Sequence, residues 1–129
     1  MASLRKEFLI NAPPDSVWAA IRDVGNTHKL FQGVVTQTRM EEGARVVTFA
    51  NGMEIRELIV DMDDAAKRFA YASVGGKALH HNASLQVFTD AAATRVVWII
   101  DVLPDEMRAA IQPLMEMGAA AMKKALEKV

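Results

Sequence analysis

Four residues in the middle of this sequence have side chains that can transfer protons: Glu57, Tyr71 and the adjacent His80 and His81. A carboxyl group that is shielded from water has a raised pKa, so it can act as an acid, a base or an anchor for a bound molecule. Histidine exchanges protons near neutral pH, and a buried tyrosine hydroxyl usually finds a hydrogen-bond partner. These four residues are therefore the catalytic candidates, and the chemistry that they would support is general acid–base catalysis.

Other kinds of catalytic or cofactor site are not indicated. The chain has no cysteine, and its three histidines show neither HxH nor HxxxH spacing. No serine lies in a nucleophile-elbow context. There is no GxGxxG or Walker pattern, since Gly75-Gly76 is typical of a hairpin turn. We therefore expect no metal and no other cofactor.

The composition predicts one cytoplasmic domain that spans residues 1–129. Apolar residues make up 51% of the chain and aromatic residues only 6%, which indicates an interior of aliphatic side chains and methionine. The net charge is −1 and the fifteen basic residues are scattered, so nucleic acid is not an expected partner. No apolar run reaches the length of about 18 residues that a membrane span needs. A cytoplasmic location agrees with the lack of cysteine and of a signal peptide.

The apolar periodicity predicts the element order β-α-α-β-β-β-β-β-β-α. A first short helix begins at Pro13-Pro14, because proline is tolerated in a first helical turn, and a second one covers residues 27–31. Asn51-Gly52 is a strong hairpin signal. Short connections between the later strands predict an antiparallel meander. The predicted strands cover residues 3–11, 34–40, 44–49, 53–62, 68–74, 79–89 and 94–103.

The last quarter of the chain, residues 104–129, is predicted to be a long amphipathic helix. Its residues include four methionines, whose side chains adapt to irregular surfaces. They also include Gly118, which indicates close approach by another group such as a ligand. Pro113 removes a backbone donor, so we expect it to divide a lead-in, residues 105–112, from a second helix, residues 114–128. The apolar stripe consists of Met107, Ile111, Leu114, Gly118, Met122, Ala125 and Val129.

Several short motifs follow one another along the whole chain: Asn11-Ala12-Pro13-Pro14-Asp15-Ser16-Val17-Trp18, Arg56-Glu57-Leu58, Asp63-Asp64, Tyr71 with Gly75-Gly76, and Trp98 before the final helix. In this order and spacing the chain resembles the START-like, SRPBCC superfamily, which includes polyketide cyclases, pollen allergens and plant hormone receptors. The resemblance implies an α+β helix-grip fold, in which a curved seven-stranded antiparallel sheet wraps around a long C-terminal helix. It also implies a hydrophobic ligand in a cavity between them. It does not define a reaction, because related members include carriers, receptors and cyclases.

By this resemblance, Glu57 points into the cavity, although the strand's periodicity alone does not choose a face. The alternative is a half-exposed Glu57 that pairs with a cross-strand arginine or lysine. Tyr71 is either a packing residue or a catalytic one. One of His80 and His81 should face inward, because adjacent strand residues point to opposite faces; the alternative places both at the rim. The predicted ligand-binding residues are Glu57, Ile59, Phe69, Tyr71, His81, Ala83, Leu85, Val96, Trp98, Leu114, Gly118 and Met122.

The function that these observations favour is the binding of a hydrophobic small molecule, lipid- or polyketide-like, by a carrier or sensor. The alternative is a cyclase- or dehydratase-like enzyme in which the inward glutamate, histidine and tyrosine transfer protons, so the sequence leaves open whether the protein is an enzyme. Leu58, Val60, Val97 and Ile99 are predicted to give the outer sheet face an apolar patch, which favours a homodimer through that face. A purely structural or regulatory dimer is the third hypothesis.

Overall fold

The computed structural model describes residues 2–91 and 93–127, and an antiparallel sheet forms its framework. The strands are β1 (Ala2–Ile10), β2 (Val35–Glu41), β3 (Ala44–Phe49), β4 (Glu54–Asp63), β5 (Arg68–Val74), β6 (His80–Asp90) and β7 (Ala93–Leu103). Their order across the sheet is β1-β7-β6-β5-β4-β3-β2, so consecutive strands from β2 to β7 are neighbours and β1 pairs with β7. This confirms the predicted seven-stranded meander, and the predicted strand ends differ from the observed ones by about one residue.

The turns between the strands follow the local sequence. Gly52 has a φ of 89° and follows Asn51 in the turn between β3 and β4, as the hairpin signal predicts. Two short helices, α1 (Pro14–Arg22) and α2 (Thr27–Leu30), follow β1 and are separated by a 3₁₀ turn, Val24–Asn26. The buried face of α1 consists of Val17, Trp18 and Ile21.

The C-terminal helix α3 runs without a break from Arg108 to Leu126, after a 3₁₀ turn at Asp105–Met107. The predicted division at Pro113 is therefore wrong. Pro113 is exposed, and its missing N–H removes only one backbone hydrogen bond. The helix is held by tertiary packing of the face that carries Met115, Gly118, Ala119 and Met122, which are buried. Val129, which belongs to the predicted stripe, and Lys128, the predicted helix end, lie outside the described residues.

The sheet buries one face against α3 and α1. The inner face of β5 carries Phe69 and Tyr71, β6 contributes Ala83, Leu85 and Val87, and β7 contributes Val96, Trp98, Ile100 and Val102, and all of these side chains are buried. A register shift between Ile59 and Asp61 forms a bulge in β4. The bulge reverses the alternation of faces, which explains why no single face of this strand looks apolar in the sequence.

The outer sheet face is less apolar than predicted. Val97 is only 6% exposed, so it is already covered within the chain, whereas Val60 at the bulge is 60% exposed. Ion pairs also occupy this face, including the 2.7 Å pair of Arg95 with Glu7. Among residues 2–91 and 93–127, no helix has the length and apolar character needed to cross a bilayer.

Candidate functional site

A cavity of about 490 Å³ lies between the inner face of the sheet and α3. The helix and the 3₁₀ turn before it contribute mainly apolar side chains to the cavity wall, and these include three of the four methionines that the sequence places near the C-terminus: Met107, Met115 and Met117. On the opposite side the wall is formed by apolar residues of β2, β3, β4 and β7. The cavity thus has the size and the apolar lining that are typical of small-molecule sites.

The cavity opens at one end of the sheet. Its lining there includes the β3–β4 turn at Met53, the β5–β6 turn at Gly75, Gly76 and Lys77, and Leu114 and Met117 of α3, all of which are exposed. The other end is closed by α1, which packs on β6 and β7. A molecule would therefore enter between the two turns and the first half of α3.

The most deeply buried charges of the described chain form an ion pair in the cavity wall. Arg45 Nε donates to Glu57 Oε1 at 2.8 Å, and the two side chains are only 5% and 10% exposed. A second guanidinium nitrogen of Arg45 donates to Thr27 Oγ1 at 2.6 Å. Burial raises the pKa of Glu57, and the Arg45 charge opposes that rise. Glu57 is thus both inward, as the resemblance implies, and paired with a cross-strand arginine, as the alternative proposes.

Two aromatic rings lie against the guanidinium of this ion pair. Phe69 and Tyr71 are stacked with ring centroids 5.5 Å apart. The guanidinium carbon of Arg45 lies 5.1 Å from the Phe69 centroid and 5.3 Å from the Tyr71 centroid. A desolvated guanidinium over aromatic faces is favourable by about 2 kcal/mol. The rings therefore fix the position of Arg45, which in turn fixes the carboxylate of Glu57.

The two histidines point to opposite sides of β6. His81 lines the cavity, whereas His80 is exposed and contacts Asn82. Burial, and secondarily the charge of His80, lower the pKa of His81, which favours its neutral form. Of the two adjacent catalytic candidates, only His81 lines the cavity and can meet a molecule bound there.

Gly118 borders the cavity, and the ring of Trp98 occupies the space where a side chain at this position would lie. A Cβ atom added at Gly118 would lie 2.9 Å from Trp98 Cη2 and 3.4 Å from Phe31 Cε1. Phe31 and Trp98 also contact each other, with ring centroids 5.8 Å apart. The absence of a side chain at this helix position therefore admits the Trp98 ring into the core.

We expect Gly118→Ala to displace Trp98 and to lower the free energy of unfolding. The gain in helix propensity of about 1 kcal/mol is opposed by an overpacking cost of about 1–3 kcal/mol. Tryptophan emission in a Trp18→Phe background would report Trp98 alone, and urea denaturation would report stability. An unchanged emission spectrum together with increased stability would contradict this close packing.

Half of the predicted ligand-binding residues line the cavity: Glu57, Tyr71, His81, Trp98, Leu114 and Gly118. The other half lie in the core or against it, outside the cavity wall, so their predicted contact with a ligand is not supported by their position. The physical reason is that α1 and the later turns of α3 fill this part of the sheet with side chains. These residues are Ile59, Phe69, Ala83, Leu85, Val96 and Met122.

Arg45 is the main site residue that the sequence analysis missed. It lies within the run Ala44-Arg45-Val46-Val47, all of which is buried. A charged residue inside a short apolar strand is costly to bury unless it is paired. This run could therefore have predicted a buried arginine with an acidic partner. The contributions of Thr27, Phe31 and Val47 to the wall depend on the packing of α2 and β3 and have no comparable signal.

Within the described residues, no group of three histidine, aspartate or glutamate side chains is arranged to hold a metal ion. The polar groups that face the cavity can instead donate and accept hydrogen bonds. They are Thr27, Arg45, Asn51, Glu57, Tyr71, Ser73, Lys77, His81 and Trp98.

Comparisons with known proteins agree with this architecture. The family model described as polyketide cyclase / dehydrase and lipid transport matches residues 1–128. A search of curated proteins finds no match. Several solved structures are similar, and because each is less than 25% identical to this chain, they show the fold alone.

Three of these structures illustrate the range of proteins that share this fold. An uncharacterised protein from Bacillus thuringiensis has a TM-score of 0.88 at 16% identity, covering 98% of this chain and 100% of its own. The di-domain ARO/CYC BexL of the BE-7585A biosynthetic pathway has a TM-score of 0.83 at 18% identity, covering 98% of this chain and 47% of its own. Major latex-like protein 151 from Panax ginseng has a TM-score of 0.79 at 14% identity, covering 98% of each chain.

Proposed function

Because this chain belongs to the polyketide cyclase/dehydrase and lipid transport family, we propose that it binds a hydrophobic, lipid- or polyketide-like small molecule between its sheet and α3. The observation that carries the proposal is the cavity of about 490 Å³, which side chains do not fill. An apolar cavity of this size with a few polar groups is the usual form of a ligand site. The protein then acts as a carrier or sensor.

The entrance supports this proposal. Met53, Leu114 and Met117 are large apolar side chains that line the cavity while remaining about half exposed. Apolar side chains in contact with water favour contact with an apolar molecule, and methionine adapts to different shapes. The apolar rim is therefore suited to admit a hydrophobic ligand.

A cavity-filling substitution tests the proposal. Ser73 lines the cavity on β5, and the next residue, Val74, is exposed on the same strand and does not line it. We expect Ser73→Phe to weaken binding of the neutral apolar dye N-phenyl-1-naphthylamine at least tenfold, which is about 1.4 kcal/mol. The matched control Val74→Phe should leave the affinity unchanged. Dye fluorescence titration measures both, and circular dichroism confirms that both variants fold.

If the wild-type protein does not bind the dye, or if Ser73→Phe binds it as tightly as wild type, binding in this cavity is excluded. Native mass spectrometry of the purified protein provides an independent measurement. A mass above that of the bare chain that disappears on denaturation would identify a co-purified ligand directly.

A second candidate function is a cyclase- or dehydratase-like enzyme. The observation in its favour is that Glu57, Tyr71 and His81 line one cavity, so a bound molecule could contact all three. Against it, the Glu57 carboxylate is already held by Arg45, which reduces its availability as a base. Loss of turnover in His81→Phe with retained ligand binding would favour the enzyme. A homodimer through the outer sheet face and a cytoplasmic location stay predictions.

A further inference from the structure

The Trp98 indole lacks a satisfactory hydrogen-bond partner. Its Nε1 atom is buried and forms no hydrogen bond of acceptable geometry with any residue in the described ranges. The indole N–H nevertheless lies close enough to the Tyr71 hydroxyl to lower its pKa. An indole nitrogen can only donate, and a buried donor without an acceptor is costly. A change that brings the Trp98 N–H and the Tyr71 hydroxyl oxygen into good hydrogen-bond geometry would therefore be favourable.

The Tyr71 hydroxyl is the group that a bound molecule could contact to produce this change. Tyr71 lines the cavity, and no residue in the part of the chain that the structure describes accepts a hydrogen bond from it. Burial, followed by the charge of Glu57, raises the pKa of Tyr71, which outweighs the opposing effect of Arg45. The hydroxyl therefore keeps its proton at neutral pH and can donate it to a bound molecule.

The charges around the cavity indicate what kind of acceptor fits. Arg45 is committed to Glu57 and Thr27, and Lys77 lies in the exposed turn at the entrance. Burial lowers the pKa of His81, which favours its neutral form. An anionic group beside Tyr71 would meet the Glu57 carboxylate, and among the described lining residues the remaining cation, Lys77, lies in the exposed turn at the entrance. Burying such a charge is unfavourable, so a neutral acceptor is preferred.

We propose, as an extension of the proposed ligand-binding function, that the ligand is an apolar molecule with a neutral carbonyl oxygen that accepts a hydrogen bond from the Tyr71 hydroxyl. The Tyr71 oxygen in turn accepts the Trp98 N–H, so that ligand binding satisfies both donors. Hydrogen bonds arranged in a chain polarise and strengthen one another. Tyr71 and Trp98 are thus the residues that select a carbonyl-bearing ligand over a plain hydrocarbon.

Matched probes test this selection. We expect wild-type protein to bind 2-acetylnaphthalene at least about fivefold more tightly than 2-ethylnaphthalene, because the hydrocarbon leaves the Tyr71 donor unpaired. The anion 2-naphthoate should bind more weakly than the ketone. Isothermal titration calorimetry measures all three dissociation constants.

Substitutions assign the selection to named residues. Tyr71→Phe should reduce the ketone preference to within about twofold while retaining hydrocarbon binding, and Trp98→Phe should reduce it partly. The control Phe88→Leu changes an aromatic residue on the outer sheet face, outside the cavity wall, and should leave the preference unchanged. A merely structural role of Tyr71 would weaken the binding of both probes equally and would not change their ratio.

Three results would overturn the inference. Equal affinity of wild type for the ketone and the hydrocarbon would show that no donor selects the ligand, but it would leave the proposed function intact. A preference that persists in Tyr71→Phe, or that is lost in Phe88→Leu, would assign the selection to another part of the molecule. Failure to bind either probe, together with failure to bind the apolar dye, would overturn the proposed function itself.

Discussion

Replacing Glu57 by alanine is expected to lower the free energy of unfolding by about 3–5 kcal/mol, the usual cost of breaking a buried ion pair by removing one partner. The substitution leaves Arg45 buried with only Thr27 and two aromatic rings as partners. A guanidinium cannot lose its proton to escape this cost. Urea denaturation followed by circular dichroism measures the effect.

The control for this prediction is Glu54→Ala on the same strand. Glu54 is exposed, and its carboxylate accepts a hydrogen bond from Thr48 at 3.5 Å. Exposed pairs contribute about 0–1 kcal/mol, so the control should be nearly as stable as wild type. Equal losses in the two variants would show that the buried pair has no special role in stability.

The same ion pair predicts that the stability of the protein depends on pH. Burial raises the pKa of Glu57 above its ordinary value of 4.5, so the folded state retains this proton to a higher pH than the unfolded state does. The contribution of Glu57 to stability is therefore fully present below about pH 4.5 and is lost as the pH rises through the folded-state pKa. The stability of wild type relative to Glu57→Gln should decrease between acid and neutral pH.

Comparing the two proteins removes the contribution of the exposed carboxylates. Their pKa values are lowered, so their contribution has the opposite sign and is lost as the pH falls, but it is common to wild type and variant. If the difference in free energy of unfolding between wild type and Glu57→Gln did not change with pH, this result would contradict the raised pKa of Glu57. The exposed groups with lowered pKa values are Glu7, Glu41, Asp64 and Glu127.

Phe69→Ala should also cost about 3–5 kcal/mol, the range that is typical of removing a fully buried aromatic ring. Phe69 is 1% exposed, stacks on Tyr71 and lies under the Arg45 guanidinium. Its loss would leave a void below the ion pair and would remove one of the two rings that position Arg45. We therefore expect a lower melting temperature and weaker binding of the apolar dye, both measured by fluorescence.

The matched control is Phe88→Ala on β6. Phe88 is half-buried on the outer sheet face, and its ring also lies under an arginine, with the Arg95 guanidinium carbon 4.6 Å from the centroid. Because Phe88 lies outside the inner core, we expect a cost of about 1 kcal/mol and unchanged dye binding. If both variants lose the same stability, the ring under Arg45 has no role beyond ordinary packing.

The inner faces of β6 and β7 could be predicted from the sequence because side chains alternate along a regular strand. The alternation of apolar residues places Leu85 and Trp98 on the inner face, where the structure also has them. It does not choose between His80 and His81, and the inward face of Tyr71 is implied by the resemblance. Prediction failed at β4, where the bulge after Ile59 shifts the pattern, and at Pro113, where packing maintains a helix that local rules would break. Local patterns describe regular elements and do not register these tertiary exceptions.

The sequence by itself determined the order of the elements, the antiparallel meander, the hairpin at Asn51-Gly52 and the inward direction of most sheet residues. These features depend on interactions between residues that are near in the chain. Only the tertiary structure decided that Arg45 pairs with Glu57, that Trp98 fills the space beside Gly118, and which inward residues face a cavity rather than packed side chains. Those outcomes depend on how α1, α2 and α3 cover a curved sheet, because this covering determines where side chains fill the interior and where they leave space.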